Sequence, residues 1–110
     1  MTAAADDQRY CVEILLPLAD EAGGRRPRGA FDALKARLVE TFGGLTAFTR
    51  APAEGLWDGP GEGVDQDQIV IFEIMAGELD APWWAGLRAE LERDFGQEEV
   101  VIRAHEIRRL

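Results

Sequence analysis

The sequence predicts an α+β domain made of two successive strand–helix–strand units, and three observations carry that prediction. Four β-branched, apolar runs alternate with two stretches in which large apolar residues recur at spacings of three and four. The two helical stretches echo each other. Leu34-Lys-Ala-Arg-Leu38-Val-Glu-Thr-Phe42-Gly43 matches Leu87-Arg-Ala-Glu-Leu91-Glu-Arg-Asp-Phe95-Gly96, with Leu, Leu, Phe and Gly in register. Finally, 110 residues with 46% hydrophobic content suffice for one core and not for two.

Each element has a local reason. Tyr10–Leu16 (β1) is β-branched and apolar and is stopped by Pro17. From about Pro27, Phe31, Leu34, Leu38 and Phe42 form one buried stripe of a helix (α1). Gly43-Gly44 ends it, since glycine accepts the left-handed backbone of a C-cap. Leu45–Arg50 reads as β2 and Gln68–Met75 as β3, the clearest strand of the chain. Asp80 is placed to cap a second helix (α2), with Pro82 in the first turn, where its missing N–H breaks no bond. Trp84, Leu87, Leu91 and Phe95 repeat the stripe, Gly96 closes it, and Glu98–Ile107 supplies β4. The expected domain is single, over 1–110, with residues 1–8 a flexible N-terminus and 51–67 a long β2–β3 loop.

The order β1α1β2β3α2β4 is the split βαβ, or ferredoxin-like, plan. It places four antiparallel strands in the order 4-1-3-2, with both helices on one face. Alternation along the strands then sends Val12, Ile14, Leu16, Val70, Phe72, Ile74, Val100, Ile102 and Ala104 toward the helices. The other face receives Cys11, Glu13, Leu15, Ile71, Glu73, Met75, Val101, Arg103, His105 and Ile107. Phe48 on β2 fits either face, depending on register.

A face carrying Leu15, Ile69, Ile71, Met75, Val101 and Ile107 is too apolar to stand in water. The simplest cover is a second copy, which gives a homodimer, a dimeric α+β barrel with a closed interior. The alternative cover is the chain's own 51–67 segment. Glu13, Glu73, Arg103 and His105 sit among these apolar residues, and buried charge is costly unless paired, so the carboxylates are expected to find Arg103 or His105. Two readings of this group remain open. It is a polar pocket in which Glu13 or Glu73 serves as base or His105 as proton carrier, or it is a set of ion pairs that fixes how two copies register.

Charge narrows the partners. Twelve basic against twenty-one acidic residues give a net charge of −9. Nucleic acid and anionic lipid are bound through Lys and Arg, so both are disfavoured. The one basic cluster, Arg25, Arg26 and Arg28, precedes a helix N-terminus but lacks the GxxxxGK[ST] of a phosphate loop. No apolar run approaches the roughly 18–20 residues of a membrane span, and the first residues lack the basic and apolar pattern of a secretory signal. The expected location is cytoplasmic.

The chain has no serine, one cysteine and one histidine. Serine nucleophiles and a disulfide framework are thereby excluded, and no metal or other cofactor is expected. Cys11 and His105 fall on neighbouring strands and read either as a nucleophile pair or as a half-buried thiol beside a histidine. Trp57, in the long connection, reads either as a ligand contact or as an anchor for an extended hairpin. Asp58, Glu62, Asp65 and Asp67 surround it without the spacing of an EF-hand. Trp84 belongs to the core, while Trp83, about 100° round the helix, is half exposed.

The stretches Phe42-Gly-Gly-Leu-Thr-Ala-Phe48, Ala53-Glu-Gly-Leu-Trp57, Asp65-Gln-Asp67 and Gln97-Glu-Glu-Val-Val-Ile102 resemble a group of small bacterial proteins of uncharacterised activity with the ferredoxin-like plan. At fold level the chain is also similar to dimeric α+β barrels, which include cofactor-free monooxygenases, small isomerases and ligand-sensing domains. The resemblance implies the fold and no particular chemistry. The expected function is a non-catalytic homodimeric domain binding a small molecule or a protein partner, with Trp57, Arg103, His105, Glu13 and Glu73 as ligand contacts. The alternative is a small cofactor-independent enzyme with His105, Glu13 or Glu73 as catalytic groups inside the barrel.

Overall fold

Six elements follow one another in the computed structural model, which describes residues 8–17, 28–58 and 64–110, with side chains for 8–17, 29–48 and 69–110. They are β1 (Tyr10–Pro17), α1 (Arg28–Phe42), β2 (Thr46–Asp58), β3 (Val64–Ala76), α2 (Ala81–Asp94) and β4 (Val101–Glu106). The strands form one antiparallel sheet in the order β2-β3-β1-β4, as the two-unit plan requires. The N-terminal residues 1–7 and the basic Arg25–Arg26 segment lie outside the described residues.

Local chemistry sets the helix ends. Asp80 accepts a hydrogen bond from the Trp83 amide at 3.2 Å and so caps α2. Gly43 (φ 86°) and Gly96 (φ 58°) take the left-handed backbone that ends each helix. The Val100 amide donates to a Glu92 carboxylate oxygen at 3.0 Å, tying the turn after α2 back onto the helix.

Both helices pack on the same face of the sheet. Leu34, Leu38, Trp84, Leu87, Leu91 and Phe95 are buried in one cluster with Val12, Ile14, Leu16, Val70, Phe72, Ile74 and Val100. Burying a large apolar side chain completely is worth about 1.5–3 kcal/mol. Of the residues expected on this face, Ile102 packs only at its margin and Ala104 is exposed, because β4 is an edge strand and an open groove lies between it and Ala81, Trp84, Ala85 and Arg88 of α2. Phe42 joins the two helices: its ring stacks on Trp84 (centroids 5.2 Å apart) and meets Trp83 edge-on. Trp83 is half-buried as expected, under the Arg37 guanidinium 5.7 Å from its ring.

The long loop expected over 51–67 is corrected by the strand bounds. β2 continues to Asp58 and β3 starts at Val64, so most of that stretch is a paired hairpin arm, with Trp57 opposite Asp65 and Glu54 opposite Gln68. Gly, Pro and Asp in 51–67 had argued for irregular structure. Part of that signal belongs to a register shift between Phe48 and Ala53, where five steps along β2 face two along β3. Before the shift, Thr46 and Phe48 pair with Glu73 and Ile71. Past it, odd-numbered residues of β2 take the pairing that even-numbered ones held. Phe48 is thereby settled on the face away from the helices, 47% exposed, while Leu45 and Ala47 pack against the core.

Candidate functional site on the open sheet face

Register turns the face away from the helices, left open by the described residues, into ordered rows, each crossing the sheet from β4 through β1 to β3 and, in two of them, on to β2. The first is Val101, Leu15, Ile71 and Phe48. The second is Arg103, Glu13, Glu73 and Thr46, and the third is His105, Cys11 and Met75. Opposed side chains in such rows stand with Cβ atoms about 4.5–5.5 Å apart. The second row is therefore a line of charge with an apolar row on one side and a sulfur-bearing one on the other.

Within the charged row, Arg103 Nε donates to Glu13 Oε1 at 3.0 Å. The arginine side chain is 56% exposed and the glutamate 19%, so water screens the pair. Glu73 lies directly opposite Glu13 and, among the described residues, has no ion pair. Like charges facing each other across a ladder repel. The expectation that both carboxylates find a cation thus holds for Glu13 and not for Glu73, because a single guanidinium reaches only the strand beside its own.

Glu73 is instead joined to Cys11. Burial, then the charges of Glu73 and Glu13, then the thiol's hydrogen bond to Glu73 push the Cys11 thiol up from 9.0 to about 11. It is 4% exposed although it lies on the open face. This corrects the reading of Cys11 and His105 as a nucleophile pair. His105 is opposite Cys11 in the ladder, yet it is exposed, and burial first, then the two carboxylates, moves the thiol further from the thiolate that a nucleophile needs.

Of the sequence-derived site residues, Glu13, Glu73 and Arg103 share one row and His105 falls in the next. Trp57 lies on the hairpin arm, and its side chain is outside the described residues, as are those of Asp58, Asp65 and Asp67. Among the described residues no three His, Cys, Asp or Glu side chains gather as metal ligands, and no helix is long and apolar enough to cross a membrane.

Sequence reasoning missed Gln8 and Arg109, which meet where the Arg109 guanidinium donates to Gln8 Oε1. They line one end of the open face together with Thr46, Glu73 and Met75. The available signal was their place just outside the paired ends of two neighbouring strands, since the Ile107 amide still donates to the Arg9 carbonyl there.

No family model matches the sequence, and no curated protein matches it. Among solved structures, a phage SAM lyase in complex with S-methyl-5'-thioadenosine aligns with a TM-score of 0.61 and 14% identity, over 96% of this chain and 87% of that one. A phage SAM lyase in the apo state aligns with the same TM-score and 16% identity, over 96% and 86%. At such identity the likeness is one of fold, and it covers nearly the whole chain.

Proposed function

We propose that the protein is a homodimeric ligand-binding domain in which two copies meet across their open sheet faces and enclose a small molecule along the Arg103–Glu13–Glu73 row. One observation carries this reading. The row holds two carboxylates for one guanidinium, and on one side of it lies an apolar row of Val101, Leu15, Ile71 and Phe48, two of whose members are more than 40% exposed. Apolar surface of that kind favours a cover, and an excess negative charge under a cover favours a cationic group on what is bound.

Light scattering on the purified chain at micromolar concentration tests it. The expected mass is twice that of the monomer, and Leu15→Glu returns it to monomer with the helical circular dichroism retained. A wild-type monomer overturns the pairing.

The enzyme reading stands beside it on the likeness to a SAM lyase along 96% of the chain. SAM carries a sulfonium cation, which suits a row with surplus carboxylate. Glu13 or Glu73 would then take a proton from the carbon next to the one that bears sulfur, so that the C–S electron pair leaves with S-methyl-5'-thioadenosine and a double bond forms in the amino-acid fragment. Incubation with SAM separates the two. Release of S-methyl-5'-thioadenosine, lost in Glu73→Gln, favours the enzyme. Binding of SAM or of S-methyl-5'-thioadenosine without turnover favours the binding domain.

A further inference from the structure

Beside the end of α1, where β1 begins and β3 and β4 finish, a cleft of about 200 Å³ is lined by Gln8, Phe42, Leu45, Glu73, Met75 and Arg109, among others. Three of these side chains are apolar, and the two charges are opposite in sign. Glu73 and Arg109 pair neither with each other nor with another charge among the described residues. Arg109 is steadied by Gln8, which engages one guanidinium nitrogen and leaves the other N–H donors of the fork. Opposite charges that line one cleft without closing on each other, Glu73 engaged among the described residues by only the neutral Cys11 thiol, are each open to the opposite charge of a ligand that carries both.

The end of α1 adds to the asymmetry. α1 has no basic residue in its last turn, whereas α2 has Arg93 in the equivalent place. Phe42, packed against both Trp83 and Trp84, and Gly43 with its positive φ fix that terminus at the cleft. The negative end of the helix dipole therefore lies in the cleft that holds Glu73, with no cation from its own turn.

We propose that this cleft binds a free α-amino acid with a short unbranched apolar side chain. Glu73 and the C-terminus of α1 take the ammonium, Arg109 takes the carboxylate, and Phe42, Leu45 and Met75 take the side chain. The proposal rests on the ligand-binding reading of the open face but not on the pairing of two sheets.

Calorimetric titration of the full chain with L-norvaline, pentanoate and butylamine tests it, since the last two each lack one of the charges. Norvaline is expected to bind, with each single-charge probe weaker by roughly tenfold or more, the loss of one charge-assisted contact. Arg109→Gln should lower norvaline affinity by a similar factor while leaving butylamine unchanged, and Glu73→Gln should do the reverse with pentanoate. No heat from norvaline, or pentanoate binding as tightly as norvaline, overturns the proposal. Light scattering on the same samples keeps the two ideas apart. A dimer that ignores norvaline sinks the amino-acid site alone, and a monomer that binds it sinks the pairing alone.

Discussion

The two faces of the sheet are made by the same strands and differ in almost every physical respect. On β1, Val12, Ile14 and Leu16 are at most 1% exposed and belong to the apolar core cluster, whereas Glu13 and Leu15 between them are half-buried and lie among charges and apolar side chains. The helix-facing side has settled its contacts within one chain. The other side keeps like charges opposed and a carboxylate without a cation among the described residues. Among the described residues the apolar packing of the chain is concentrated on one face of its sheet.

The largest effect that sharpens this contrast comes from neighbouring leucines. Leu16→Ala should cost about 2–5 kcal/mol in chemical denaturation, the usual range for a buried leucine. Leu15→Ala, measured on monomeric protein, should cost less than half as much. Equal losses would mean that the second face is as filled as the first.

A smaller effect is read from pH. The folded thiol of Cys11 sits above its ordinary value of 9.0, at about 11, so the folded state holds the proton more tightly. Its contribution is complete below pH 9 and is lost as the pH rises through 11, with stability falling by on the order of 2 kcal/mol across that window. Cys11→Ala should flatten this slope in denaturation curves taken from pH 8 to 11. In native protein at pH 7 the thiol should be alkylated far more slowly than free cysteine.

The smallest effects distinguish two ion pairs. Arg37 and Glu90 bridge α1 and α2 at 2.6 Å with both side chains more than 40% exposed, while Arg103 and Glu13 pair on the sheet with the glutamate mostly covered. Double-mutant cycles to Gln should give a coupling of about 0.5 kcal/mol or less for the first and about 1 kcal/mol for the second. A larger value for the helix pair would reverse the ranking of the two surfaces.

Much of this contrast was written in the alternation of residues. Strand parity alone separated Val12, Ile14 and Leu16 from Glu13 and Leu15, and the stripes of α1 and α2 were legible because both end at a glycine after phenylalanine. Leu45 and Ala47 against Phe48 could not be divided in advance, since a register shift depends on how β2 pairs beyond Phe48 and not on its own composition. The same shift concealed the hairpin arm behind residues that usually mark turns. Charge pairing was half legible. That Glu13 would meet Arg103 followed from strand order. That Glu73 would turn to Cys11 needed the diagonal contact across β1 and β3, and the Gln8–Arg109 pairing depended on where segments beyond the ladder come to rest.

Alternation on β1 has a consequence for how such a protein can change. Odd and even positions of a single eight-residue strand answer to separate demands, so the half-buried Glu13 and Leu15 are open to exchange while Val12, Ile14 and Leu16, and with them the buried Cys11, are held by packing. A lineage carrying this strand can revise those two letters and change the chemistry of the far side of the sheet while the core packing stays as it is.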